Sequence, residues 1–135
     1  AAATAPAPAS PAARTAREDE DSGLRYIRHG TNVFAEGLGL LDGAIVDQHF
    51  VRRQRFNRLL SAVLDHPELL GIGIDEKTSI FVHDGGFEVV GVSNVLVVDA
   101  RHADEVSRDR AKPGAARGLA LHVLTDGMRF DLGQR

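Results

Sequence analysis

Between Ala44 and Leu64 the apolar residues change their spacing, and a chain that does so has to pass from a strand into a helix. Ala44-Ile45-Val46 is a short apolar run rich in β-branched residues, whereas Phe50, Leu59, Leu60, Val63 and Leu64 recur at roughly helical intervals. At the handover lies Asp47-Gln48-His49-Phe50-Val51-Arg52-Arg53-Gln54-Arg55-Phe56-Asn57-Arg58, dense in charged and reactive groups. This predicts an α/β fold with a polar cluster at the carboxyl end of a strand, the edge where open α/β sheets bind ligands because strand ends and helix N-termini converge there. The helix is expected from Val51 to Asp65, stopped by Pro67, since the residue before a proline avoids helical dihedrals.

Downstream, Gly71-Ile72-Gly73-Ile74 predicts a second buried strand ending at Asp75-Glu76. Short apolar runs then follow at Ser79 to His83, Phe87 to Val90, Val95 to Val98, Leu119 to Leu124 and Met128 to Leu132. Asp84-Gly85-Gly86 and Asp126-Gly127 supply turns, so this tail is expected to be β-rich and antiparallel. The polar segment Arg101 to Gly118, with Pro113 and Gly114, is expected to be an exposed excursion. Upstream, Tyr26-Ile27 and Val33-Phe34 are candidate strand pieces, and Gly37 to Gly43 is too glycine-rich for an ordinary helix and reads as a loop.

Residues 1–23 differ in kind. Ala1 to Ala16 is an Ala/Pro/Thr/Ser tract, and Arg17 to Gly23 is a charge run, so this arm is expected to be disordered and 24–135 to carry the fold. That leaves little chain for a complete α/β enzyme and enough for half of one. The absence of an initiator methionine fits a processed chain or a fragment. No apolar run reaches membrane-spanning length, and Ala1 to Ala16 lacks a secretory hydrophobic segment. A cytoplasmic location is therefore expected, with a secreted form as the alternative, and no membrane partner. The net charge of −3 gives no footprint for nucleic acid, despite the local density of Arg52, Arg53, Arg55 and Arg58. Without cysteine there is no thiolate metal site and no cysteine nucleophile.

His49 is the strongest candidate general base, because imidazole takes and returns a proton near neutrality. The plainer alternative is that it caps the next helix. On a helix Arg55 and Arg58, three apart, share a face, while Arg52 and Arg53 fall in the first turn, where positive charge opposes the macrodipole and calls for an anionic ligand or a fixed carboxylate partner unless the arginines form a solvated basic face. Asp75 and Glu76 follow the second strand; if that strand neighbours the first, one of them could orient the imidazole, although turn chemistry explains them equally well. His29, His66, His83, His102 and His122 lack metal-ligand spacing and read as structural or surface residues. No Gly-x-Ser-x-Gly elbow occurs; the nearest approach, Gly91-Val92-Ser93-Asn94-Val95, has no helix after it. A nucleophile, if used, is expected on another chain.

Gly37-Leu38-Gly39-Leu40-Leu41, Asp47-Gln48-His49-Phe50, the spaced Arg53, Arg55 and Arg58 before Leu59-Leu60, Gly71-Ile72-Gly73-Ile74-Asp75-Glu76 and Leu121-His122-Val123-Leu124 together resemble the C-terminal half of cyanophycinases. The resemblance covers about Gly37 to Leu132. Members of that family are serine peptidases that cut cyanophycin, a poly-aspartate backbone with arginine on each β-carboxyl, into β-aspartyl-arginine dipeptides. It implies the C-terminal half of a flavodoxin-like three-layer α/β sandwich, of the kind shared with class I glutamine amidotransferases, with a β-rich antiparallel tail. By matching positions, His49 would activate the serine, with Glu76 orienting the imidazole or, as the alternative, an acid in the missing half, while Asp47, Gln48, Arg53, Arg55 and Arg58 would line the substrate groove. No metal or organic cofactor follows from this mechanism. The implied partners are an N-terminal half bearing the serine, cyanophycin or a β-Asp-Arg peptide, and a second copy of the complete unit in a homodimer. This chain alone would then be inactive. The alternatives are a non-catalytic module binding anionic peptides, or a related peptidase acting on another acidic or arginine-bearing peptide.

Overall fold

The computed structural model describes residues 3–4, 27–30, 35–36, 41–48, 55–107, 109 and 111–135. In chain order the elements are β1 (Ala3–Thr4), β2 (Ala35–Glu36), β3 (Ala44–Gln48), α1 (Phe56–Asp65), β4 (Leu70–Ile74), β5 (Thr78–His83), β6 (Gly86–Gly91), β7 (Val95–Asp99), β8 (Glu105–Val106), β9 (Ala116–Arg117), β10 (Ala120–Leu124) and β11 (Arg129–Asp131), with a 3₁₀ turn at Leu132–Gln134.

Six strands form a mixed sheet in the order β10, β7, β4, β3, β1, β2. β3 and β4 run parallel, with Asp47 opposite Gly73 and Gln48 opposite Ile74, and α1 makes the crossover that parallel neighbours require. β7 and β10 add on antiparallel beyond β4. A second sheet, β11, β6, β5, is wholly antiparallel, so the described residues form an α/β structure with the expected β-rich tail.

Alternation along the strands sorts the side chains into two cores. Ile45 and Val98 meet Leu59, Ala62 and Val63 of α1 on one face of the large sheet. On the other face Ala44, Leu70, Ile72, Ile74, Val95 and Val97 pack on Phe87 and Val89 of the small sheet. Leu70, Ile72, Val95 and Val97 are fully buried, and β4 is buried along its whole length, as a strand covered on both faces should be. Gly71 lets the helix come that close: a Cβ there would lie 2.5 Å from Val63 Cγ2.

The helix starts later than its apolar spacing suggested. Arg55 is its N-cap residue, so Arg52 and Arg53 precede it and lie outside the described residues, as do Gly37 to Leu40. The end is as expected, with His66 at the C-cap and Pro67 next. Two other differences concern pairing. Arg101 to Gly118 is not a plain excursion, because β8 and β9 pair antiparallel within it and the His29 side chain ties onto it. Ala3–Thr4, inside the arm expected to stay out of the fold, pairs parallel with β3 and antiparallel with β2. An exposed strand edge is a template for any extended segment that reaches it, and composition does not register that. Residues 5–26 lie outside the described residues.

Candidate functional site

Because β3 and β4 are parallel and in register to their last residues, their carboxyl ends share one edge of the sheet. The chain order around that edge is therefore Asp47 and Gln48 at the end of β3, Arg55 and Arg58 at the start of α1, and Asp75 and Glu76 just past β4.

Asp47 is buried, 7% exposed, and its carboxylate is the focus of the cluster. Arg58 grips it with both ends of its fork: Nε donates to Oδ2 at 3.0 Å and Nη2 donates to Oδ1. Arg55 Nη1 lies 3.5 Å from Oδ1 and donates to the Gln48 carbonyl at 3.1 Å. Bidentate pairing of this kind fixes geometry as well as charge. Two permanently charged guanidiniums thus converge on the Asp47 carboxylate at the amino end of α1. The first turn of the helix contains no acid, and its N-cap residue makes no side-chain cap bond. Arg55 and Arg58 thus share a fixed carboxylate partner at the start of the helix.

Across the edge, the β4 to β5 turn is laced to the β6 to β7 loop. The Asp75 amide donates to the Asn94 carbonyl at 3.2 Å, and Ser93 Oγ donates to Asp75 Oδ2 at 2.5 Å. Thr78 Oγ1 accepts from the Ser93 amide at 2.9 Å and donates to the Glu76 carbonyl at 3.2 Å. Glu76 itself is half-buried. The nearest approach to a nucleophile elbow is thereby accounted for: Ser93 belongs to a strand-to-strand loop and its hydroxyl proton is engaged by a carboxylate.

Of the residues expected to form the site, the structure gathers Asp47, Gln48, Arg55, Arg58 and Glu76 around the carboxyl ends of two adjacent strands. His49 and Arg53 lie outside the described residues. The sequence reading weighed Ser93 only as a near-elbow serine and did not reach its pairing with Asp75 and Thr78, which lie 18 and 15 residues away. Among the described residues no cluster of His, Asp and Glu could hold a metal ion, and no helix is long and apolar enough to cross a membrane.

A second serine, histidine and aspartate come together at the opposite end of α1. His29 Nδ1 is 2.8 Å from Asp65 Oδ1, and Nε2 is 3.1 Å from Ser107 Oγ. The Gly30 amide also donates to Asp65, at 2.9 Å, and Ser107 Oγ accepts from the Ala115 amide at 3.0 Å. The imidazole side chain is 5% exposed. With the ring enclosed and the hydroxyl already serving the backbone, this group works as a tie joining the 27–30 segment, α1 and the β8–β9 ribbon.

No protein-family model matches the chain. Curated relatives do. A cyanophycinase of Trichormus variabilis is 47% identical over 105 residues, which is 75% of this chain and 35% of that protein. One from Geminocystis herdmanii is 44% identical over 101 residues, 72% of this chain and 37% of its own length. One from Synechococcus elongatus is 42% identical over 102 residues, covering 73% and 32% respectively. The chain thus spans about a third of the length of the relatives it matches, in their carboxyl-terminal part.

Proposed function

From its homology to the carboxyl-terminal part of cyanophycinases, we propose that this chain is the base-and-groove portion of a serine-type peptidase that degrades cyanophycin to β-aspartyl-arginine dipeptides. In this reading the complete unit is a flavodoxin-like three-layer α/β sandwich, and the nucleophilic serine and its oxyanion donors come from an amino-terminal partner segment. The observation that carries the proposal is the parallel register of β3 and β4, which sets Glu76 at the sheet edge where β3 delivers the Asp47, Arg55 and Arg58 cluster.

The chemistry follows from that edge. His49, next in the chain after Gln48, takes the proton from the serine hydroxyl as the oxygen attacks the peptide carbonyl, then returns it to the leaving amine. Glu76 bonds the other ring nitrogen, fixing the tautomer and stabilising the imidazolium. A water activated by the same base releases the acyl group. Arg53 and Arg55 serve as the forks that bind substrate carboxylates. The full occupancy of the Asp47 carboxylate by Arg58 and Arg55 supports a part for Asp47 in holding those forks in place. Gln48, exposed beside them, adds amide hydrogen bonds.

The test is dipeptide release from purified cyanophycin by this chain assembled with its serine-bearing partner segment. Release should occur and should fall at least about a thousandfold in His49→Ala, in line with loss of a triad member. Release that survives His49→Ala would overturn the assignment of the base. Binding of cyanophycin without any release would favour a non-catalytic module with an anion-attracting groove.

A further inference from the structure

The proposed acid, Glu76, sits on a turn, and turns hold a side chain poorly unless something else fixes their backbone. Here a second loop does so at four places. The Asp75 amide and carboxylate are held by Asn94 O and Ser93 Oγ, and Thr78 Oγ1 joins the Ser93 amide to the Glu76 carbonyl. The Val92 amide also donates to the Lys77 carbonyl at 3.2 Å. The turn needs that support, since Lys77 adopts φ 54, a left-handed conformation that side-chain-bearing residues seldom take. Gly91 makes the close approach possible: at φ +142, a Cβ there would lie 2.4 Å from the Lys77 carbonyl oxygen and 2.6 Å from Thr78 Cα. The bonds between the two loops meet Asp75, Lys77 and Thr78, all within two residues of Glu76, and Thr78 carries the contact on to the Glu76 carbonyl.

Ser93 is the centre of the lacing. Its hydroxyl binds the residue before Glu76, and its amide binds, through the Thr78 hydroxyl, the Glu76 carbonyl. We propose that Ser93 is a positioning residue of the peptidase site: by clamping Asp75 and Thr78 on either side of Glu76, it sets the direction from which that carboxylate meets the catalytic imidazole. This rests on the proposed pairing of Glu76 with His49. The substrate never touches Ser93; its influence passes through Glu76, as outer-shell partners act on the groups they orient.

Two measurements decide it. In the assembled enzyme, Ser93→Ala should lower kcat for dipeptide release about tenfold with KM changed less than about twofold, the size and pattern of a lost orienting contact. Ser93→Thr, which keeps the hydroxyl, should recover most of that loss. In a Glu76→Gln background, Ser93→Ala should cost less than about a further twofold, since a residue acting through Glu76 has nothing left to orient. An undiminished tenfold loss in that background, or no loss in the single variant, overturns the proposal. The second measurement needs no turnover and is read on this chain: the NMR titration of the His49 ring. Glu76→Gln should move its midpoint downward, and Ser93→Ala should move it in the same direction by a smaller amount, with Ser93→Thr restoring it. A His49 midpoint unmoved by Ser93→Ala overturns the positioning role. Absence of dipeptide release by the wild-type assembly would instead count against the proposed function, leaving the titration to decide the role of Ser93.

Discussion

The two ends of α1 solve the same electrostatic problem in opposite ways. Both carry charge of the sign that the helix macrodipole disfavours, arginines at the amino end and Asp65 at the carboxyl end. At the carboxyl end the account closes: Asp65 receives His29 and the Gly30 amide, the other His29 nitrogen meets Ser107, and nearby Asp99 is held by Arg135. At the amino end one carboxylate faces two guanidiniums, and the first turn holds no acid. Stability alone would have placed an acid there. Both ends break the local charge rule, and the amino end does so at the strand edge where open α/β sheets bind ligands, which makes it the end to examine for function.

The largest expected effect separates the two arginines. Arg58→Ala leaves the buried Asp47 carboxylate with the longer Arg55 contact and should cost about 3 kcal/mol, the usual penalty for breaking a mostly buried pair, measured by urea unfolding. Substrate use should fall with it. Gly71→Ala is the control that treats both ends alike. Its methyl group meets Val63 beneath the middle of the helix, so about 2 kcal/mol should be lost by overpacking, with both helix ends disturbed together in hydrogen exchange. His29→Ala should cost about 1 to 2 kcal/mol, because Asp65 loses one donor and Ser107 its ring partner, yet leave dipeptide release unchanged. A loss of release without a loss of stability would mean that the carboxyl end is not merely structural.

The fourth prediction concerns pH. Burial, the largest single influence on Asp99, raises its carboxyl, but the hydrogen bond from Arg135 and that from the Arg101 amide together outweigh it, with Coulombic help from both guanidiniums, and hold it below the usual carboxylate range. A carboxyl lowered in the folded state contributes stability that is present above the ordinary aspartate pKa, near 4, and is lost as pH falls through the lowered value. Arg135→Met should remove that part of the acid sensitivity and about 1 kcal/mol at neutral pH, followed by thermal unfolding at several pH values. The smallest effect on folding belongs to Arg55→Ala. Its pair with Asp47 is longer and more exposed than that of Arg58, so it should cost under about 1 kcal/mol while raising KM for cyanophycin. An equal effect on both quantities would return Arg55 to a merely solvated role.

Much of this was legible in the sequence. The change of apolar period between Ala44 and Leu64 gave β3, α1 and their order, and Asp-Gly and Gly-Gly dipeptides marked the hairpins of the tail, because these signals are local and depend on the backbone period. The boundary of α1 was less legible, since arginines are good helix formers in the interior and nothing in their side chains marks the N-cap. The β8–β9 ribbon was invisible because its strands are two residues each. The pairing of Ala3–Thr4 with β3 depends on an available edge far along the chain.

What the sequence determined by itself is the kind of structure and the chemistry on offer: a strand-to-helix junction loaded with Asp47, Gln48, His49 and arginines, a second strand ending in acids, and an antiparallel tail. Those follow from periodicity and residue type, which act over a few positions. Only the tertiary structure decided that β3 and β4 are register-matched neighbours, that Asp47 is the carboxylate holding Arg55 and Arg58, and that Ser93 laces the Glu76 turn. Each of these joins residues 8 to 26 positions apart, and such pairings are set by which apolar faces the sheet must bury rather than by any preference of the residues themselves.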